Sequence, residues 1–195
     1  RVSKGKVRWF SLHEERLTRS ALYFGYSEKT ISKALEVLRT CARDCDGIWR
    51  VTVSRAFQDD TQHQQLWGGS SSIHVRYRAY QPPGEIRLTC ALGMYFPDDH
   101  LAEYKTTSYL RSIEVKRYAL RHGFTDAIRV SPQGWISECS SSNILIVKEN
   151  GSLLTPIAQG LLPGITRQGL LACATAYGQP IVEQKIHVDE LRDTC

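Results

Sequence analysis

The segment Leu161-Leu162-Pro163-Gly164-Ile165-Thr166-Arg167 constrains this chain more than any other. A strand and loop feed through Pro-Gly into a helix that begins near Ile165. The first N–H groups of such a helix have no partner within it, and the helix dipole adds positive potential there. Gly164 lets a ligand approach the backbone, and the Thr166 hydroxyl offers a further donor. The junction reads as a cup for a phosphate group. An ordinary loop-to-helix junction capped by Thr166 is the alternative.

Periodicity around that junction predicts a mixed α/β chain. Val2, Lys4, Lys6-Val7 and Trp9-Phe10 flank Gly5 as in a hairpin, so the chain opens on a strand. Helical patterns cover 12–25 and 28–41, the second with Ser27 as N-cap and Ile31, Leu35 and Leu38 as its apolar stripe. Strands are expected at 48–54, 73–80 and 86–92, with a polar loop over 58–72. Pro97-Asp98-Asp99 breaks the pattern and divides the chain into domains at 1–97 and 101–195. Next come a helix over 109–122 stopped by Gly123, a strand over 125–130, a turn at 131–134 and a return strand over 135–138. A hairpin through Glu149-Asn150-Gly151, a helix from Ile165 and a last strand over 179–183 complete the chain.

Composition excludes several classes. With 25 basic and 20 acidic residues the net charge is +5, and the basic residues are dispersed. That gives little support to a nucleic-acid footprint and suits a small anionic ligand. No apolar run is long enough to span a bilayer, and no signal peptide is visible. The 6 cysteines include no CxxC pair, which points to reduced, cytoplasmic thiols; Cys41 and Cys45, one helical turn apart, are expected to pack. The histidines have no ligand spacing, so no metal site is expected.

Three further segments could carry chemistry. Lys105 lies in Glu103-Tyr104-Lys105-Thr106-Thr107-Ser108-Tyr109, just before a helix. The positive end of a helix dipole disfavours an ammonium there, and a neutral lysine is a nucleophile toward carbonyls. Glu138, in Trp135-Ile136-Ser137-Glu138-Cys139-Ser140-Ser141-Ser142-Asn143, is a lone acid among apolar and small residues. It needs a cationic partner, such as a protonated heterocyclic nitrogen. Arg16, in His13-Glu14-Glu15-Arg16-Leu17, could clamp an anion; the run lacks the second histidine of a zinc motif. The plain alternatives are a solvated lysine, a strand-end glutamate and a surface ion pair.

Together these segments resemble the fold-type IV (class IV) pyridoxal-phosphate enzymes. That family includes the D-amino-acid and branched-chain aminotransferases and 4-amino-4-deoxychorismate lyase. The pieces that carry the resemblance run in order over nearly the whole chain: His13-x-x-Arg16-Leu17, Lys105-Thr106-Thr107-Ser108-Tyr109-Leu110, Gly134-Trp135-Ile136-Ser137-Glu138 with Ser140 to Ile144, Leu154-Thr155-Pro156, and Leu162 to Arg167.

The resemblance implies a two-domain α/β (α+β) fold with a small N-terminal domain and a larger, barrel-like C-terminal domain. It also implies bound pyridoxal 5'-phosphate and a homodimer. Lys105 would form the Schiff base and shuttle the substrate's proton, and Glu138 would hold the pyridine nitrogen protonated. Arg16, Gly164, Ile165 and Thr166 would grip the phosphate. Tyr109 would bond the 3-oxygen, Leu162 would cover a ring face, and Ser141 and Ser142 would line polar edges. Substrates would be an amino acid and a 2-oxo acid.

Family members extend further at both ends, so each domain is expected to be incomplete at its outer end. The Lys105-to-Tyr109 spacing of four is one shorter than in branched-chain members. The serine run resembles D-amino-acid transaminases, and Ser137-Glu138-Cys139 resembles the lyases. Aminotransfer is the expected reaction. Lyase chemistry releasing pyruvate, or a non-catalytic relative acting as a binding or dimerisation module, are the alternatives.

Overall fold

The computed structural model describes residues 1–41, 46–55 and 70–193. Cys45, Cys195 and most of the expected polar loop, from Gln58 onward, lie outside the described residues. The chain forms two compact units that divide between Pro82 and Pro83.

In the first unit, β1 (Val2–Ser3) and β2 (Lys6–Val7) form the expected hairpin. Lys4 and Gly5 both take positive φ, the geometry that matches strand twist. Two 14-residue helices follow, α1 (Phe10–Tyr23) and α2 (Glu28–Cys41). Ser27 Oγ accepts from the Thr30 amide, so the predicted N-cap forms. Ile31, Ala34 and Cys41 are the buried residues of α2. β3 (Ile48–Arg55) pairs antiparallel with β4 (Ser71–Arg78), and the Trp49 and Tyr77 rings pack at a tilt across the ladder. The alternation in 73–80 produced a strand but no buried face within the described residues, for Val75 and Tyr77 are both exposed.

The second unit holds two crossovers. β5 (Leu88–Leu92) pairs parallel with β6 (Asp126–Val130), and α3 (Leu110–Arg121) connects them. β7 (Ile136–Cys139) returns antiparallel to β6 through a turn in which Gly134 takes φ 86°. β8 (Ile146–Val147) and β9 (Leu153–Pro156) form the predicted hairpin. α4 (Ile165–Ala176) then carries the chain to β10 (Ile181–Gln184), which pairs parallel with β9. Parallel neighbours need such long connections, so each helix packs where its crossover leaves it. Ala91, Val115, Ala119 and Ala127 bury α3 against β5 and β6, and their small side chains permit close approach. Ile128, Val130, Ile136, Ile146, Leu154 and Ile186 form a second cluster. A bridge between Trp135 and His187 ties the two sheets together.

The unit boundary falls earlier than the predicted break at Pro97. β5 belongs with β6 by hydrogen bonding, so the second unit must include it. Asp98 and Asp99 instead start a short 3-10 helix (His100–Glu103), with Asp99 Oδ1 accepting from the Leu101 amide. Among the described residues Cys90, Cys139 and Cys173 are free thiols, and Cys41 is buried. No described helix is long and apolar enough to cross a membrane.

Candidate active site

Glu138 is the third residue of β7, and its side chain is only 12% exposed. Its Oε2 accepts from Asn143 Nδ2 at 3.1 Å, and the same amide nitrogen donates to the Leu162 carbonyl at 2.9 Å. The Leu162 N–H also lies where it favours the Glu138 anion. One asparagine therefore joins the strand-end acid to the loop that leads into α4. Burial pushes the Glu138 carboxyl up to about 7, while the Arg129 charge, the Leu162 N–H and the Lys105 charge pull it down. A carboxyl balanced near neutrality in a buried site is stabilised as an anion by any cation that docks against it.

Lys105 is exposed and lies between the 3-10 helix and α3. Its ammonium stands 5.3 Å from the centroid of the Tyr109 ring, within cation–π range, and it acts electrostatically on Glu138. Tyr109 is the half-buried N-cap of α3. Thr106 Oγ1 accepts from the Ser108 amide, and the Tyr109 amide donates to the Thr107 carbonyl. This turn presents the lysine. The helix itself starts at Leu110, and the lysine side chain is exposed. Glu138 is a charged neighbour.

Gly164 is the N-cap of α4, and no side chain caps that end. Thr166 is exposed and Ile165 is buried, so apolar packing anchors the helix start. The orphan N–H groups there keep their potential for an anion. A Cβ on Gly164 would overlap Asn143 Oδ1 and stand 3.2 Å from its Cγ. Gly164→Ala is therefore expected to displace Asn143 and loosen both of its hydrogen bonds, costing about 1–3 kcal/mol. Chemical denaturation checks this: in an Asn143→Ala background the added methyl should cost little, because the two changes share one contact.

The loop before Gly164 is held from β5's side. The Tyr95 hydroxyl donates to the Gln159 carbonyl at 2.7 Å. Gly160 has φ 60° and packs so closely that a Cβ would sit 2.8 Å from the Pro97 carbonyl oxygen. After β7, the buried Asp126 carboxylate accepts from Ala127 N, Ser140 N and Ser140 Oγ. The Cys139 amide donates to the Ser142 carbonyl. These bonds fix a turn that leaves Ser141 and Ser142 exposed.

The second unit thus brings Lys105, Tyr109, Glu138, Leu162 and Gly164 into one connected set. Arg16 belongs to the first unit, half-buried on α1. Burial and the positive Arg16 hold its neighbour His13 down at about 4, so that imidazole is neutral at pH 7. Sequence reasoning gave no role to Asn143 or Arg129. Arg129 had a signal, a charge alone inside the otherwise apolar Ala127-Ile128-Arg129-Val130. Asn143 stood in the quoted serine run.

The profile of the family described as amino-transferase class IV matches residues 1–194. A probable branched-chain-amino-acid aminotransferase of Rickettsia bellii is 28% identical, over 99% of this chain and 69% of its own length. The branched-chain-amino-acid aminotransferase of Pseudomonas aeruginosa is 34% identical over a shorter stretch, 43% of this chain and 27% of its own. Among solved structures, a hypothetical aminotransferase from Mycobacterium tuberculosis in its PLP-bound form superposes with a TM-score of 0.79 at 26% identity, covering 99% of this chain and 72% of that one. A putative 4-amino-4-deoxychorismate lyase from Legionella pneumophila has a TM-score of 0.83 at 23% identity, with 100% and 74% covered, and so shares the fold.

Proposed function

Because the chain belongs to the class IV aminotransferase family, we propose that it is a pyridoxal-phosphate-dependent aminotransferase, moving an amino group between an amino acid and a 2-oxo acid with Lys105 as its cofactor-bearing residue. The observation that carries this reading is the Glu138 cluster. A largely enclosed carboxyl, raised to about 7 by desolvation, is joined through Asn143 to the Leu162 carbonyl, beside a helix start where Gly164 packs against the same asparagine. That donor set fits a ligand with a basic ring nitrogen at one end and a phosphate at the other.

When bound, pyridoxal phosphate supplies a protonated ring that withdraws electrons from the substrate's α-carbon. Glu138 would accept the hydrogen bond from the ring nitrogen and hold its proton in place. The first amides of α4, at Ile165 and Thr166, would bind the phosphate without a competing side-chain cap. Leu162, its carbonyl held by Asn143, would cover a ring face. Tyr109 would donate to the ring's 3-oxygen. The Lys105 amine would hold the aldehyde end at rest and move the proton at the α-carbon as general base.

Product analysis tests this reading. The purified protein with pyridoxal phosphate, branched-chain and D-amino donors and a 2-oxo acid should give the donor's keto acid only when the acceptor is present. Pyruvate released from 4-amino-4-deoxychorismate without an acceptor would make it a lyase instead. Failure to take up the cofactor would favour the binding-module reading.

A further inference from the structure

We propose that Arg129 is a positioning residue of this site, setting its charge against the Glu138 carboxyl and tying that acid, through Ser112, to the helix that follows Lys105. The inference deepens the reading above and rests on it only where cofactor binding is the readout.

Arg129 lies on β6 beside β7, and its side chain is only 12% exposed. One arm of the guanidinium, Nη2, donates to Ser112 Oγ on α3 at 2.8 Å. The other, Nη1, stands 3.8 Å from Glu138 Oε1. That is ion-pair range but too long for a hydrogen bond. The buried Nε has no hydrogen-bond partner. Surface packing does not explain an arginine so enclosed and so incompletely satisfied, since its burial costs free energy unless the charge is used. Its charge acts on Glu138.

The other groups acting on Glu138 cannot replace it. Lys105 is exposed and is the residue assigned to the chemistry. Tyr95, after β5, is a buried phenol whose hydroxyl burial pushes up, with Asp98 and Glu138 adding to the rise. The Cys139 thiol is pushed up to about 11, chiefly by burial, and is neutral. Asn143 and the Leu162 peptide supply dipoles only. Arg129 is therefore the one largely enclosed full charge among these neighbours that favours the anion. The planar fork lets a single residue address Ser112 and Glu138 at once. The acid anchor and α3 are held to the same strand.

The test is titration of Glu138 by carbon-13 NMR in the cofactor-free protein, with pyridoxamine 5'-phosphate binding measured separately. That probe needs no covalent bond to Lys105. In Arg129→Met the Glu138 midpoint should rise by about one pH unit or more. Affinity for the probe should fall about fivefold or more at pH 7 and less than about twofold at pH 9, where the carboxyl ionises in both proteins. A packing defect would weaken binding equally at both pH values. Ser112→Ala keeps the charge and loses only the tether; the midpoint should rise by a smaller amount. If Arg129→Met does not fold, that variant decides. An unchanged midpoint in the folded variants overturns the proposal, whatever the cofactor result. A protein that binds no probe but shows the shifted midpoint overturns the aminotransferase reading and leaves the role of Arg129 standing.

Discussion

Lys105→Ala is expected to abolish turnover and to remove the long-wavelength absorbance that bound pyridoxal phosphate would give. The expected loss in kcat is at least about 10³-fold, because the residue is assigned both the covalent hold and the proton transfer. The fold should be untouched. Lys105 is exposed, and truncating such a side chain shifts stability by no more than about 0.5 kcal/mol. Pyridoxamine 5'-phosphate should still bind, since Glu138 and the start of α4 remain. Absorbance, steady-state kinetics and denaturation measured together separate this outcome from misfolding. A variant that keeps full activity would remove the lysine from the chemistry.

Glu138→Gln has two effects of opposite sign. The folded carboxyl lies at about 7 and the ordinary value is 4.5. As pH rises through that interval, the unfolded chain ionises first and the folded state loses stability. Above pH 7 the buried anion costs the cofactor-free protein up to about 3 kcal/mol. Glutamine keeps the shape and an acceptor for Leu162 and never carries the charge. The variant should therefore be more stable than the parent at pH 8, by about 1–3 kcal/mol, with the difference shrinking to within about 0.5 kcal/mol near pH 4.5. His13, at about 4 on the other unit, titrates in both proteins and cancels from the comparison. Activity should fall by about 10²-fold or more, because a neutral amide no longer holds the ring nitrogen's proton. Urea titrations at the two pH values, alongside kinetics, measure both effects. A destabilised variant at pH 8 would mean that Glu138 is a fully compensated ion pair and not a waiting anchor.

Local patterns carried most of the secondary structure. The helices over 28–41 and from Ile165 follow from apolar spacing and from Ser27 and Gly164 at their starts, and each formed close to its expected bounds. Pairing was not legible. β5 and β6 join in parallel across the whole of α3, and no residue in 88–92 signals a partner more than thirty positions away. The Pro97 break looked like a boundary because proline and two aspartates end a strand; here they begin a 3-10 turn inside a unit.

At the site, the residue types that sequence could single out were lone groups in unusual company, Lys105 and Glu138. What it could not supply was their surroundings. Desolvation falls on Glu138 because β7 packs in the interior, while Lys105 occupies an exposed turn. Asn143 and Arg129 matter through contacts with segments distant in sequence, Leu162 in one case and Ser112 in the other. Their spacing along the chain encodes neither.

Borohydride reduction of the protein with pyridoxal phosphate, followed by mass mapping of its peptides, tests the assignment of Lys105 most directly. One modified peptide is expected, the one containing Lys105, with the mass of the reduced cofactor added. A cofactor fixed to another lysine, or to none, would contradict it.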